Sequence, residues 1–377
     1  MADDPVPGGG VMKTDISPLR VILKAFGLFV LVNLVYALIQ PPVSRISAYT
    51  LLFPGRDRLP FGEVHNPYVV SIDNIDAMFA SHAIAAEKKP DEIRVAVIGD
   101  SSVWGENLRL HETLTGQWNQ LDLQCGAKSL HVYNLGYPHP SAVKDLMFLK
   151  KLTEYHPDVI VWLITLNTLS SMRVNPVLVE NRDLALALLD DYALEFSETD
   201  ALIQTEKNLY EKTIIGRRSF LARLIKLQAL GWVWSATGRD VEHIAELVSM
   251  SDDVSDDLEY RRLPVGSDLR TIMLVDALAA GHAIVGEIPL VLVNEPIFAA
   301  SGLNADVRYN ETYPRWAYDQ YRDVIAGEAR ENKWEYLDLW DFVPGKYFTD
   351  TPLHLNAEGE HLLAERIHAK VQPMVCK

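Results

Sequence analysis

The stretch "IRVAVIGDSSVWG", residues 93–105, decides the fold of this chain. It opens with a compact apolar run, residues 93–98, and continues directly into a glycine, an acid and two serines. A short apolar run bounded by turn residues is typical of a strand in a parallel sheet, because such strands are buried on both faces. The small polar residues at its carboxyl end form either an ordinary turn or the seat of a nucleophile.

The rest of the chain repeats this strand pattern in alternation with helical stretches. Such alternation predicts an α/β fold with a doubly wound, five-stranded parallel sheet. The predicted strands are residues 93–98, 130–135, 158–164, 288–294 and 334–340. The predicted helices between and after them are residues 111–121, 141–155, 314–331 and 356–371. A mostly helical insertion, about residues 170–266, separates the third strand from the fourth.

These patterns divide the chain into four parts. We predict an N-terminal tail over residues 1–18, a transmembrane anchor over 19–40 and a connecting arm over 41–90. Residues 91–377 then form one domain that contains the insertion. The anchor is predicted from the run "VILKAFGLFVLVNLVYALI", residues 21–39, because about 20 such residues span a hydrocarbon core as a helix.

A cleaved signal peptide is the alternative interpretation of this apolar run. An uncleaved anchor is favoured because the run is long and no cleavage site of the A-x-A kind closes it. The basic residues on the two sides of the run are nearly balanced in number, so they do not set its orientation.

Composition excludes several classes of function. The formal net charge of -16 opposes binding to nucleic acid phosphates, and no basic cluster with interleaved aromatics occurs. The only two cysteines, Cys125 and Cys376, do not form a metal-binding motif, and neither a metal nor another cofactor is predicted. They are either a disulfide pair or two unrelated thiols.

Two features of the insertion each have two interpretations. Residues 217–238 are predicted to form a helix, because large apolar side chains recur at helical spacing and would line one face of it. These side chains are Phe220, Leu224, Leu227, Leu230 and Trp234. This helix either caps the domain or rests on lipid or a membrane partner, and the two roles are compatible. The acidic run over residues 251–259 is a solvated loop, because the ligand spacing of a calcium loop is missing.

Polar residues that are able to carry acyl-transfer chemistry follow several of the predicted strands. In an open α/β sheet, functional groups collect at the carboxyl ends of the strands. Ser101 follows the first strand and is a candidate nucleophile, while Gly136 and Asn167 follow the next two and are candidate donors to an oxyanion. His354 is the candidate base, and Asp350 is the candidate group that orients its imidazole.

These pieces resemble the four sequence blocks of the SGNH/GDSL hydrolase superfamily, in the same order. The first block is "GDSSVWG" with Ser101, the second "NLG" with Gly136, the third "TLNT" with Asn167 and the last "DTPLHLN" with His354. The resemblance implies a flavodoxin-like fold over about residues 93–371, with the insertion excepted. It also implies an oxyanion hole built from the Ser101 N–H, the Gly136 N–H and the Asn167 amide.

The chain departs from the family pattern at two of these blocks. Thr165 and Thr168 replace the usual glycine and aspartate of the third block, and Asp350 stands four residues before His354, where the family commonly has three. A backbone carbonyl is therefore an alternative orienting group for the imidazole. Each residue also has a purely structural alternative, such as a turn serine, a loop asparagine or a packed histidine.

Two neighbouring residues are assigned lesser roles. Ser102 is expected to be a helix cap or structural neighbour of Ser101 rather than a second nucleophile. His139, beside the second block, is either a substrate contact or an ordinary loop histidine.

Among members of this superfamily, the chain resembles the membrane-anchored, extracytoplasmic DltD and alginate O-acetylation groups. That resemblance implies an N-in, C-out topology and a membrane-bound O-acyltransferase as partner. The leading hypothesis is an anchored serine esterase or O-acyltransferase acting on acylated cell-surface or secreted carbohydrate. The alternative hypothesis is a catalytically inactive accessory subunit that binds glycan or braces a membrane complex.

Overall fold

A computed structural model describes residues 17–45, 54–61, 72–121, 124–170, 174–204, 208–237 and 249–376. Almost all of the predicted N-terminal tail, parts of the connecting arm and the side chain of Trp234 lie outside the described residues. The chain forms two compact units. One holds the described part of residues 1–42 and 207–222, and the other holds that of residues 43–206 and 223–377.

The described residues form α-helices, β-strands and single turns of 3₁₀-helix. The α-helices are α1 (Pro18–Ile39), α2 (Ile75–Ser81), α3 (Ser101–Trp104), α4 (Leu114–Trp118), α5 (Ala142–Leu152), α6 (Pro176–Glu180), α7 (Arg182–Asp191), α8 (Thr199–Gln204), α9 (Leu209–Lys212), α10 (Arg218–Thr237), α11 (Asp276–Val285), α12 (Arg315–Asn332) and α13 (Ala357–Val375). The strands are β1 (Glu92–Gly99), β2 (Gln124–Cys125), β3 (Lys128–Gly136), β4 (Val159–Ile164), β5 (Leu290–Asn294) and β6 (Glu335–Asp338). The 3₁₀ turns are Val43–Arg45, Ala83–Ala85, Leu110–Glu112, Thr153–Tyr155, Leu269–Thr271 and Gly345–Tyr347.

The sheet of the larger unit is mixed and has six strands in the order β2-β3-β1-β4-β5-β6. All five predicted strands are present and pair in parallel, but the predicted five-stranded parallel sheet is wrong in one respect. The two-residue strand β2 pairs antiparallel with β3 through a tight turn at Gly126, whose φ is +64°. Two residues are too few to produce an alternating pattern in the sequence, which is why β2 was not predicted.

Both faces of the sheet are buried, as a doubly wound fold requires. Alternate residues of each strand point to opposite faces. Val95 and Val97 of β1 belong to the apolar cluster on one face, where α13 packs on α4. Ala96 and Ile98 belong to the larger cluster on the other face, where α5 packs on α11.

Helix α11 lies in the connection from β4 to β5 and was not predicted. Its sequence is rich in alanine and apolar on most sides, so it lacks the 3.6-residue alternation that marks a surface helix. Gly281 of α11 lies directly against the ring of Trp162 on β4, where a Cβ atom would come within 2.6 Å of the indole. One face of the helix is therefore buried against the sheet, while Ala279 and Ala283 on its other face are exposed.

The smaller unit is built on α1, which has 22 residues and a mean hydropathy of 2.3 over its most apolar window. In length and composition α1 is able to cross a membrane, as predicted. It begins with Pro18 at its first position and ends at Ile39, and Gln40, a left-handed residue that precedes Pro41 and Pro42, caps it.

The insertion is largely helical where it is described, and α10 has two different faces. Leu227 is buried in the main core, and Leu224 packs against it, so this face acts as a cap. On the opposite side Ile225, Trp232 and Val233 are exposed. One face of α10 therefore caps the domain, and the prediction that the helix rests on lipid or a membrane partner applies only to its exposed face.

A disulfide joins Cys125 on β2 to Cys376, the residue that follows α13. Their Cα atoms are 5.1 Å apart, within the range of native disulfides. The bond links the edge of the sheet to the helix that covers one of its faces, across 251 residues of sequence. Disulfides of this kind persist in oxidising compartments.

We expect Cys376→Ser to lower the free energy of unfolding of the full chain in detergent by about 2–4 kcal/mol, because the bond restricts the unfolded chain. Chemical denaturation of wild type and variant, with and without dithiothreitol, measures this. Gln372→Ser, on the same helix end, is the control and should match wild type. If dithiothreitol destabilises Cys376→Ser as much as wild type, the bond is not the cause.

Candidate active site

Ser101 lies at the carboxyl end of the central strand pair. Strand β1 is flanked by β3 on one side and β4 on the other, so the segments that follow these three strands share one edge of the sheet. Ser101 is the first residue of α3, and the Asp100 side chain caps this helix by accepting a hydrogen bond from Ser102 N at 3.0 Å. The prediction that polar residues collect at this edge is consistent with the observed strand order.

Helix α3 packs so closely on the strand ends that two positions require glycine. A Cβ atom at Gly99 would lie 2.5 Å from the Val103 side chain, and one at Gly136 would lie 2.3 Å from Trp104 N. No real Cβ atom is found so close to a backbone nitrogen, so any side chain at Gly136 would displace α3. The two glycines thus fix the position of the helix that presents Ser101.

A hydrogen-bonded chain joins Ser101, His354 and Asp350. His354 Nε2 lies 2.9 Å from Ser101 Oγ, and His354 Nδ1 lies 3.0 Å from Asp350 Oδ1. Because a carboxylate only accepts, Nδ1 carries the proton toward Asp350, and Nε2 of the neutral ring is free to accept the Ser101 hydroxyl proton. His354 is 6% exposed, so this chain is largely shielded from solvent.

The four-residue spacing between Asp350 and His354 is accommodated by a tight turn. Phe348 and Leu355 form an antiparallel bridge, and Thr349 N donates to His354 O at 2.9 Å. Inside the turn, Thr351 Oγ1 accepts from His354 N at 3.1 Å. The turn therefore brings a carboxylate four residues away back to the imidazole of His354.

Two further side chains hold Asp350. Thr349 Oγ1 donates to Asp350 Oδ1 at 3.0 Å, and Asn107 Nδ2 donates to Asp350 Oδ2 at 3.2 Å. Asn107 belongs to the loop after α3, so the nucleophile segment and the His354 turn are bonded to each other through Asp350. Neither residue was identified from the sequence, because their bonds depend on the folded turn.

The Asp350–His354 pair changes the protonation of both groups. Burial alone would lower the pKa of His354, but the hydrogen bond and negative charge of Asp350 outweigh it, and the pKa is raised. Burial raises the pKa of Asp350, but the His354 hydrogen bond and charge reverse this and lower it to about 2. Asp350 is therefore a stable carboxylate partner for an imidazolium.

Asn167, the predicted side-chain donor, follows β4 and is oriented by two residues of the insertion. Arg261 Nη2 donates to Asn167 Oδ1 at 2.8 Å, and the Tyr260 hydroxyl donates to the same oxygen at 3.2 Å. These bonds fix the amide so that its oxygen faces the insertion. Among the described residues, Asn167 Nδ2 has no hydrogen-bond partner, and it is free to donate.

The two predicted backbone donors differ in their availability. The Gly136 N–H donates to Asn134 Oδ1 at 3.1 Å, so it is already used by a neighbouring side chain. The Ser101 N–H, by contrast, makes no hydrogen bond to the described part of the chain. Ser101 N–H and Asn167 Nδ2, which follow the neighbouring strands β1 and β4, are therefore the two candidate donors without a partner in the described part of the chain.

A network of buried carboxyl groups lies behind Ser101. The Ser102 hydroxyl contacts both Asp100 Oδ1, at 3.1 Å, and Glu295 Oε2. One hydroxyl proton is unable to serve both, so the second bond needs a proton on Glu295. Burial raises the pKa of Glu295, and the charge of Asp100 raises it further, which favours this protonated form. Ser102 is thus a structural neighbour of Ser101, and the helix cap is Asp100.

Lys144 of α5 supports the strand ends from within the core. Its Nζ is fully buried and donates to Gly99 O at 2.8 Å and to Tyr137 O at 3.0 Å. The same Nζ lies 3.0 Å from Asp145 Oδ1, which supplies the negative charge that a buried ammonium needs. The ends of β1 and β3 are therefore linked by side-chain bonds beyond the sheet ladder.

His139 lies after β3 in a strained backbone conformation. Its φ of +98° is rare for a residue with a side chain. The ring packs edge-on against Phe61 at 5.6 Å between centroids. A contact of His139 with substrate stays a prediction.

No family model matches the chain, and no curated protein matches it in sequence. Solved structures to which it is similar include a lipase/acylhydrolase from Enterococcus faecalis, at 12% identity and a TM-score of 0.39, covering 74% of this chain and 96% of that one. A carbohydrate acetylesterase family member from Sinorhizobium meliloti is 13% identical, with a TM-score of 0.34, covering 75% and 99% of the two chains. The native M. smegmatis aryl esterase is 12% identical, with a TM-score of 0.34, covering 75% and 100%.

The pKa of His354 should lie above the ordinary histidine value in the wild-type chain and should fall in Asp350→Asn. Titration of the His354 ring by NMR measures both values. His361→Gln, which changes a partly buried histidine on α13, is the control and should leave the His354 pKa unchanged. Since the folded-state pKa is raised, the Asp350–His354 attraction stabilises the fold below the unfolded pKa of about 6.5 and fades as the pH rises through the folded value. The stability difference between wild type and Asp350→Asn should therefore be larger at pH 5.5 than at pH 9, and equal differences would contradict this.

Proposed function

We propose that this chain is a membrane-anchored serine esterase or O-acyltransferase that acts on acylated cell-surface or secreted carbohydrate. The observation that carries the proposal is the hydrogen-bonded chain from Ser101 Oγ through His354 to Asp350, with distances of 2.9 and 3.0 Å. These distances match those of a serine nucleophile and its oriented general base. The order of the four sequence blocks supports the same assignment to the SGNH/GDSL superfamily.

The proposed reaction has two halves. Ser101 Oγ attacks the carbonyl carbon of the ester while His354 Nε2 takes the hydroxyl proton, and the resulting oxyanion accepts hydrogen bonds from Ser101 N–H and Asn167 Nδ2. His354 then gives the proton to the departing sugar oxygen, which leaves an acyl group on Ser101. Water or a second sugar hydroxyl gives its proton to His354 and attacks the acyl carbon. The bond from that carbon to Ser101 Oγ then breaks, and His354 returns the proton to Ser101 Oγ. Hydrolysis and transfer differ only in this acceptor.

The proposed location is a single-pass anchor by α1 with the sheet-containing unit outside the cytoplasm. The Cys125–Cys376 disulfide supports this placement, because such bonds persist in oxidising compartments. The resemblance to the DltD and alginate O-acetylation groups suggests a membrane-bound O-acyltransferase as the partner that supplies or receives the acyl group.

One observation favours the alternative of a catalytically inactive accessory subunit. The Gly136 N–H, which the family resemblance assigns to the oxyanion hole, is donated to Asn134 Oδ1. In that case the Ser101–His354–Asp350 chain would be a structural remnant, and the fold would bind glycan without cleaving an ester.

We expect wild type to react with an active-site-directed fluorophosphonate and to cleave a chromogenic acetyl ester, whereas Ser101→Ala loses both reactions and His354→Ala loses most of each. Gel fluorescence and absorbance measure the two. Ser301→Ala, which changes an exposed serine, should behave as wild type. A wild-type protein that is not labelled, or labelling that persists in Ser101→Ala, would overturn the proposal that Ser101 is the nucleophile.

The orientation of Asn167 by the insertion leads to a separate kinetic expectation. Asn167→Ala should lower kcat about a hundredfold, as loss of one oxyanion donor does. Arg261→Met should lower kcat by roughly tenfold with little change in KM, because the Asn167 amide is retained but is then oriented only by the longer bond from the Tyr260 hydroxyl. The neighbouring Arg262→Met is the matched control, since Arg262 is exposed. A rise in KM without loss of kcat in Arg261→Met would assign Arg261 to substrate binding instead.

A further inference from the structure

Asn33 is a polar residue in the apolar second half of α1, and both polar atoms of its side chain are hydrogen-bonded. Its Nδ2 donates to Phe29 O on its own helix at 2.9 Å. Its Oδ1 accepts from Ile215 N at 3.2 Å, a backbone group that is 182 residues away in sequence. Asn33 is buried although α1 as a whole is exposed, so residues around 215 cover this part of the helix.

A second bond fixes the same pairing closer to the end of α1. Gln40 Nε2 donates to Lys212 O at 2.7 Å. Residues 208–218, which we call the collar, therefore lie along α1 between Asn33 and Gln40. Asn33 is six residues before Ile39, so the contact lies about 9 Å inside the end of the helix.

This depth determines what surrounds the collar if α1 spans a membrane. A helix of 22 residues is about 33 Å long, close to the thickness of a hydrocarbon core. A contact about 9 Å from its end therefore lies in the leaflet into which the carboxyl end of α1 emerges. The collar must then be in contact with lipid rather than with bulk water.

Most backbone N–H groups of the collar are hydrogen-bonded within the unit, which matters because unsatisfied backbone groups are costly in lipid. Asn208 and Glu211 cap α9 reciprocally, each side chain accepting from the other residue's backbone N–H at 3.0 Å. Thr213 Oγ1 accepts from Gly216 N at 3.0 Å, and Asn33 accepts from Ile215 N. The N–H groups of Lys212, Thr213 and Arg217 are bonded to backbone oxygens of the collar.

The exposed side chains of the collar are of the types found at the boundary between membrane and water. Leu209 and Tyr210 are 59% and 57% exposed, although each is a large apolar or aromatic residue. Leucine and tyrosine side by side are typical of the boundary between acyl chains and headgroups. Arg218 is also exposed, and a guanidinium at this level is able to pair with lipid phosphates.

We propose that residues 208–218 form a second membrane-contacting element that lies against α1 in the lipid leaflet, with Leu209 and Tyr210 facing the lipid. The inference rests on the anchoring by α1 in the proposed function. It commits to the lipid bilayer as the occupant of this surface, because the hydrogen bonds to Asn33 and Gln40 set the depth without any other partner.

The test uses the full chain, in which single cysteines are labelled with bimane and the protein is placed in phosphatidylcholine nanodiscs with or without doxyl-labelled lipid. The native disulfide is kept oxidised, so that only the new cysteine reacts. Labels at Leu209→Cys and Tyr210→Cys should be quenched by doxyl lipid nearly as strongly as a label at Leu31→Cys in α1. They should be quenched several-fold more strongly than a label at Leu303→Cys, a leucine of similar exposure (66%) in the sheet-containing unit.

Asn33→Leu is a second variant that tests the collar separately from the anchor. It removes the acceptor of Ile215 N–H, so quenching at Tyr210→Cys should fall while quenching at Leu31→Cys is retained.

The outcomes of the test distinguish the collar from the anchor. If Leu31→Cys is quenched by doxyl lipid but the two collar labels resemble Leu303→Cys and are quenched by iodide in the water, the collar proposal is overturned and the anchor stands. If Leu31→Cys is not quenched, the anchor itself fails and the collar fails with it. If the collar labels are shielded from iodide in native membranes but not in the nanodiscs, the proposal of lipid is overturned and the occupant of this surface is a membrane protein partner.

Discussion

A buried ammonium group holds together the strand ends on which the candidate site is built. Lys144 Nζ donates to the carbonyl oxygens of Gly99 and Tyr137, one at the end of β1 and one just after β3. Ser101 begins the helix that follows Gly99, and this helix packs without an intervening side chain on Gly136. Since a buried charge is tolerated only where its bonds are satisfied, any shift of these strand ends would leave the Lys144 ammonium group poorly bonded. The position of Ser101 is therefore tied to the packing of the core.

The sequence allowed much of this arrangement to be predicted. The apolar runs that alternate with helical stretches predicted five strands of a parallel, doubly wound sheet. What was missed has a local reason in each case: β2 has two residues, and the exposed face of α11 carries Ala279 and Ala283, so the helix shows no polar stripe. The sheet is consequently mixed and six-stranded, although its parallel part is the predicted one.

The candidate site contains residues that their own sequence neighbourhood identifies and residues that only the fold identifies. Ser101 and His354 stand in short motifs at predictable places, whereas the contribution of Asp350 depends on a turn whose hydrogen bonds come from Thr349 and Thr351. Asn107 and Arg261 belong to a loop and to the insertion, and nothing adjacent to them in sequence marks them. Glu295 lies at the end of β5, where its burial beside Ser102 follows only from the packing of the sheet.

The disulfide has a consequence for how the chain is made. Cys125 belongs to a strand near the start of the sheet-containing unit, and its partner follows the helix that completes one face of that unit. The bond is therefore unable to close until almost the whole unit has been synthesised. Until then Cys125 presents a reduced thiol, so its oxidation state reports whether a given molecule has finished its assembly.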